Sequence, residues 1–406
     1  MTARARALGC ALAASIAMAS AARAGVWGTE PVIGVSADYS TNPALVPSAG
    51  TPETHAAFTL DAPSSYVGNA FKLSAVPQFR FSNSRGYSTV DSNYAHLDLR
   101  AEFDTERGTW IASVGAAQDS SLARDYLTNG SAGVRRDTGT ADINWDHHLT
   151  ERWEVAVDAN GQRTRYGAPV GVQTLTDNRY VSVNPQVSWD RSERSRLTLA
   201  LGAGRYDALN GTSESRNAYA QAGYVVSLSE LWSLTAQAGY TKALNNATVR
   251  QLEPVISGNT ILLVPVDKSV ASSQTGALYK VGLTRSRGRI TGSLQASQQL
   301  LPTGFAYLTR QYTYELHLNY AETQRLSFDA DVQRLSYHFP AITSTAGSTT
   351  DIVTASVSAS YQLTPAWTAT MTGSYVTERY GAPAVAVRSA GASLALERHF
   401  HWAQLP

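Results

Sequence analysis

The stretch Asp91 to Gln118 reads DSNYAHLDLRAEFDTERGTWIASVGAAQ. From Ala95 its odd positions are Ala95, Leu97, Leu99, Ala101 and Phe103, and its even positions are Tyr94, His96, Asp98, Arg100 and Glu102. Successive side chains on a strand point to opposite faces, so this segment presents one apolar and one charged face. Thr105, Glu106, Arg107 and Gly108 form a tight polar break, after which Trp110, Ala112, Val114 and Ala116 resume an apolar face. The reading is a β-hairpin. A soluble sandwich shows the same alternation, so the number of copies and the breaks between them decide what solvent the apolar face meets.

The alternation recurs on both sides of this hairpin. Before it come Ile33 to Tyr39, then Phe58 and Leu60, then Phe71 to Phe81, where Pro77 falls on the apolar face and predicts a local bulge. After it the pattern continues through Ile143 and Trp145, Trp153 to Ala159, Val181 to Trp189, Leu197 to Ala203, Ala218 to Val226, and so on to Ala390 to Phe400. The breaks fall into two alternating classes. The tight ones are TERG after Asp104, LTER from Leu149, RSER from Arg191, LSEL from Leu228, SRGR from Ser286, ETQR from Glu322 and LTPA from Leu363. The others, rich in Gly, Ser, Thr and Asn, cover roughly 119 to 138, 165 to 177, 207 to 214, 244 to 269, 300 to 307, 338 to 349 and 380 to 387. Strict alternation puts all tight turns at one end of the sheet and all long loops at the other. Three strands before Asp91, fourteen in seven tight-turn hairpins and one at the C-terminus predict about eighteen, with sixteen as the alternative.

Composition narrows the environment. The 406 residues are 43% hydrophobic and 16% charged, with net charge +1 and mean hydropathy −0.20. No run of about 18 apolar residues follows residue 24, which excludes a helical membrane protein, and no basic excess points to nucleic acid. Residues 1 to 24 combine Arg4 and Arg6, an apolar run from Ala7 to Met18 and an Ala22-Arg23-Ala24 ending, the pattern of a Sec signal peptide, leaving 25 to 406 as one domain. The only cysteine is Cys10, so that domain needs neither disulfide nor thiolate-bound metal.

Asymmetric turns and strands of about ten residues resemble the Gram-negative outer-membrane β-barrels. That resemblance implies an all-β, antiparallel up-and-down barrel with short periplasmic turns and long extracellular loops. In hydrocarbon an antiparallel sheet satisfies its backbone polar groups only by closing on itself. Trp110, Trp145, Trp153, Trp189, Trp232 and Trp367, most of them beside tight turns, fit an interfacial aromatic girdle. Leu394, Leu396, Phe400 and Trp402 resemble the C-terminal strand by which such barrels are recognised for assembly, with Arg398 departing from the pattern. The resemblance further implies outer-membrane lipid and lipopolysaccharide as surroundings, and periplasmic chaperones and the barrel-assembly machinery as partners during biogenesis. The segment Tyr39 to Leu45 and the NSRGY at Asn83 to Tyr87 look like barrels associated with exopolysaccharide or exosortase-linked export, which would imply passage of a polysaccharide.

If the apolar face meets lipid, the other face lines the lumen. Pore-lining candidates are Lys72, Arg80, Tyr94, His96, Asp98, Arg100, Glu102, Asp158, Gln237, Lys280, Glu315, His317, Asp329 and Asp331. The plainer reading of each is a cross-strand pair that only stabilises the wall. Extracellular loop candidates for recognition are Arg124, Tyr126, Arg135 and Arg136, and the apolar Ile261 to Val266 is a surface hairpin or a constriction inside the pore. No nucleophile elbow, phosphate loop or metal-ligand spacing is present, so neither a cofactor nor an enzyme is expected. The functional expectation is a pore or export channel for a hydrophilic solute, with a loop-binding adhesive barrel and an outer-membrane hydrolase as alternatives.

Overall fold

In the computed structural model the described residues are 25–43, 45, 51–85, 93–120, 135–167, 175–257, 260–302, 308–338, 349–380 and 385–400. They form twenty strand segments in a single antiparallel sheet, with no helix among them. These are β1 (Val26–Thr29), β2 (Val32–Ser40), β3 (Glu53–Asp61), β4 (Ser64–Val67), β5 (Phe71–Arg85), β6 (Tyr94–Thr105) and β7 (Gly108–Ser120). They continue as β8 (Arg135–His148), β9 (Trp153–Tyr166), β10 (Asn178–Ser192), β11 (Ser195–Ala208), β12 (Ser213–Ser227), β13 (Trp232–Ser257) and β14 (Thr260–Arg287). The last are β15 (Ile290–Pro302), β16 (Leu308–Ala321), β17 (Leu326–His338), β18 (Thr349–Thr364), β19 (Trp367–Tyr380) and β20 (Val385–His399).

The sheet closes on itself through β2 and β20, which pair from Val32 opposite His399 to Ser40 opposite Gly391. β1 runs into β2, and β3 into β4, without a change of register. Thr29 opposes Ser64, Glu30 N donates to Pro63 O at 3.1 Å, and Val32 opposes Asp61. The twenty segments therefore make an eighteen-stranded barrel, the larger of the two expected counts. The bulge expected at Pro77 is absent, since β5 and β6 keep one register through Pro77 opposite Leu97. The break falls instead on the other neighbour. Ala62 N donates to Pro77 O at 3.0 Å, but proline has no N–H to return the bond, and the facing strand is interrupted between β3 and β4.

The tight turns are where the sequence places them. Within the opening hairpin Thr105 opposes Gly108, and a Cβ at Gly108 would stand 2.0 Å from the Asp146 carbonyl, so only glycine lets β7 approach β8 there. The other end of the barrel differs from expectation. Only four residues, 209–212, separate β11 from β12, and four, 381–384, separate β19 from β20. Much of what reads as loop is strand, because the ladders continue beyond the wall. The region 244 to 269 is the clearest case. β13 and β14 stay in register from Leu244 opposite Ser273 to Ser257 opposite Thr260, so the segment containing Ile261 to Val266 is a hairpin that prolongs the wall.

The outward face is apolar all the way round. Val35, Phe103, Val114, Ile143, Leu199, Leu201, Leu294, Val357 and Met371 are each between 48% and 65% exposed in the isolated protein. Side chains of this size left open on every strand need an apolar solvent. The tryptophans share this outer face, with Trp110 48% and Trp153 45% exposed, so they are not a core. They pair across strands near the turn end, Trp110 with Trp145 at 5.6 Å and Trp153 with Trp189 at 6.0 Å. Arg398, the exception in the C-terminal pattern, joins this girdle by lying 5.6 Å over Trp367 and 4.6 Å over Phe400. Placing a charge on this face tests the assignment. Leu201→Arg is expected to lower the unfolding free energy in lipid by about 2–4 kcal/mol. The neighbouring inward Ala200→Arg is expected to cost only a small part of that, and equal losses at the two sites would refute the assignment of faces.

Candidate functional site

All fourteen pore-lining candidates lie on the face opposite the apolar belt, and strand pairing ties most of them to a neighbour. On β5 and β6, Lys72 Nζ lies 2.6 Å from Glu102 Oε1 and 3.2 Å from Asp104 Oδ2, while Arg100 Nη2 reaches Glu102 Oε2 at 3.3 Å. Arg80 Nη2 donates to Asp38 Oδ2 at 2.7 Å, and the rings of Tyr94 and His96 stack with centroids 4.8 Å apart. Asp158 accepts from Asn144, and the neighbouring Asp142 accepts from Asn160. On β16 and β17, Glu315 accepts from Gln333 at 2.6 Å, Asp329 from Asn319 at 2.6 Å, and His317 meets Asp331 at 2.6 Å. Gln237 Oε1 accepts from Gln221 at 3.0 Å. Asp98 and Lys280 face the lumen, exposed and without a partner among the described residues. The lining is therefore mainly a network of matched pairs whose outer lone pairs and protons remain open to water.

Two loop candidates are strand residues. Arg135 and Arg136 open β8, where Asp119 opposes Arg136 and Ser120 opposes Arg135. Arg136 points inward and grips Asp119 through two bonds, Nε to Oδ1 at 2.9 Å and Nη2 to Oδ2 at 2.8 Å, with both side chains under a tenth exposed. A bidentate pair of this kind holds the ladder beyond the membrane belt, which is why the segment is not a loop. His96 Nε2 lies 3.8 Å from the same Asp119. Arg135 points outward and bonds to Asp137. Arg124 and Tyr126 lie outside the described residues.

The lumen is not uniform along its length. Toward the turn end it is wet, as the open Arg100, Asp98 and Lys280 show. Toward the loop end inward side chains are packed away from water, among them Tyr206, Ala243, Leu308, Ile352 and Val387. Strand β15 explains part of this. It pairs with β14 only up to Tyr279 opposite Gln298, whereas its pairing with β16 continues to Pro302 opposite Leu308. Arg310 of β16 reaches across the resulting gap, donating from Nη2 to the Thr275 carbonyl of β14 at 2.9 Å. The freed end of the β15–β16 hairpin then meets the inner wall four strands away, where Leu308 packs with Tyr206 and Ala208 of β11, and Tyr180 of β10 lies against them. No period-two pattern could have indicated this contact, since it joins strands that are not neighbours.

Below that contact lies a cavity of about 560 Å³. It is lined by Tyr180, Asn184, Asn217, Tyr219, Gln221, Gln237, Gln295, Gln298, Gln299, Gln311, Glu315, Gln333 and Tyr337, with Lys280 and a few hydroxyl and aliphatic residues. Amides and phenols supply donors and acceptors with no net charge, and Tyr219 is held by Asn184 at 2.7 Å. Of these residues the pore-lining candidates above include only Gln237, Lys280 and Glu315. Among the described residues no group of three or more His, Cys, Asp or Glu converges to hold a metal ion.

No protein-family model matches the chain, and no characterised protein matches it in sequence. Among solved structures it is similar to the ferric-catecholate import receptor Fiu from E. coli in its open form, with a TM-score of 0.47, 9% identity and coverage of 90% of this chain and 81% of that one. It is also similar to two Pseudomonas aeruginosa proteins. OpdQ gives a TM-score of 0.47, 10% identity and coverage of 94% and 99%, and OpdK with vanillate gives 0.47, 10%, 92% and 99%. Identity at this level assigns no cargo.

Proposed function

We propose that this chain is an outer-membrane pore for small, neutral, hydrophilic solutes, with sugars as the class that fits its lining. The observation that carries this is the amide- and tyrosine-lined cavity on the inward side of β10 and β12 to β17, in a barrel whose β5 and β6 also present an open polar strip to the lumen. A barrel of this strand number is wide enough for an aqueous path. Paired charges along the wall leave little net field to select ions, whereas amide groups offer a sugar hydroxyl both a donor and an acceptor. The apolar belt supports a membrane setting, and the uniformly tight turns at one end support that end as the periplasmic one. A secreted polysaccharide is the finer reading of the same lining, because phenol rings and amides suit a sugar chain.

Liposome swelling with the purified chain is the test. Swelling is expected with mono- and disaccharides, falling steeply with solute size. Absence of both sugar flux and ion conductance, in the natural chain and in a variant with the Tyr206–Leu308 contact removed, would refute a pore. Reduction of single-channel current by a soluble polysaccharide would support the finer reading, and an unaltered current would count against it.

A further inference from the structure

We infer that the outward rim of β9 to β13 is a binding site for a multiply phosphorylated glycolipid of the outer leaflet, of the lipopolysaccharide kind. Arg163, Arg165, Arg179, Arg205, Arg216 and Lys242 all share the outward face with Val181, Leu201 and Tyr240 of the apolar belt. They stand at one height. Trp153 to Arg163, Trp189 to Arg179 and Trp232 to Lys242 are each ten residues apart. Ten residues on a strand tilted by about 45° rise about 25 Å, the depth of the apolar band of such barrels. The tryptophan girdle thus marks one headgroup layer and these cations the other.

The cluster is not self-neutralised. Arg163 directly opposes Arg179, and Arg205 directly opposes Arg216, arrangements that repel unless a counter-anion sits between them. Two carboxylates serve three of the arginines. Asp207 bonds Arg179 at 2.9 Å and Arg205 at 3.0 Å, and Glu214 bonds Arg216 at 2.6 Å and lies 3.4 Å from Arg205. Arg163, Arg165 and Lys242 have no partner among the described residues. With Arg135 and Asp137 of the adjoining β8, where Asp137 opposes Arg165 and bonds Arg135, the rim from β8 to β13 sets seven cations against three carboxylates and concentrates positive charge where the surface meets lipid headgroups, in a chain of net charge +1. Guanidinium forks match phosphate oxygens, and the adjoining apolar wall accepts acyl chains, so the occupant combines several phosphates with a lipid body.

The test uses the full chain in neutral phosphatidylcholine nanodiscs, titrated separately with lipopolysaccharide, phosphatase-treated lipopolysaccharide, phosphatidylglycerol and inorganic phosphate. Lipopolysaccharide is expected to bind tightest, and phosphatase treatment to abolish the advantage. The triple variant Arg163→Gln, Arg165→Gln, Lys242→Gln is expected to bind more weakly by roughly fivefold per cation, on the order of a hundredfold together. Arg285→Gln at the turn end is expected to leave binding unchanged. Should the triple variant not fold, the natural chain still decides, because lipopolysaccharide binding must weaken as salt rises. Equal binding of phosphatidylglycerol or of free phosphate, an unaffected triple variant, or indifference to salt would each overturn the site.

Discussion

Removing the contact between the β15–β16 hairpin and the inner wall at β11 is expected to raise single-channel conductance several-fold. The variant is Tyr206→Ala with Leu308→Ala. Both side chains are fully buried against one another, together with Ala208, at the loop end of an otherwise wet lumen. Water and ions entering from the turn end meet this apolar block, and the variant leaves untouched the pairing of β11 with its neighbours and of β15 with β16. Truncating two large side chains opens space without unpairing a strand, so the effect falls on current and not on barrel assembly. Planar-bilayer recordings would show it as a larger unitary current. A unitary current unchanged from that of the natural chain would mean that the narrowest point lies elsewhere.

The second large effect is on stability. Replacing either Asp119 or Arg136 by Ala is expected to cost about 3–5 kcal/mol, because each change takes a bidentate partner away from a buried charge. Replacing both should cost clearly less than the sum of the single losses, since no unpaired charge then remains. Urea unfolding of the chain in detergent micelles measures all three. Single losses below about 1 kcal/mol, the range of an exposed pair, would show that water reaches the pair.

The two predictions differ in how far the residues alone reveal them. Asp119 and Arg136 could be seen in the sequence as opposite charges at the edges of a polar stretch, but their facing position depends on how far β7 and β8 continue past the membrane. A polar composition reads as loop when the strand is no longer constrained to alternate for lipid, so Arg135 and Arg136 were expected in a loop and stand instead on a strand. The same reason made 244 to 269 look like a break, although β13 and β14 run through it in one register.

Period two is a local property, and every feature that depends on it is legible in the residues of Asp91 to Gln118 and their copies. The apolar wall, the inward placement of His96, Asp98, Arg100 and Glu102, the tight turns and the count of eighteen strands all follow from which face each residue takes, repeated strand by strand. Features that depend on which distant residues meet follow from closure instead. The departure of β15 from β14, the packing of Leu308 on Tyr206, and the gathering of amides from six strands round one cavity arise when the sheet is bent into a ring. A chain that alternates perfectly says which side of the wall a residue occupies, but what stands opposite it across the lumen depends on the tilt and curvature of the closed barrel.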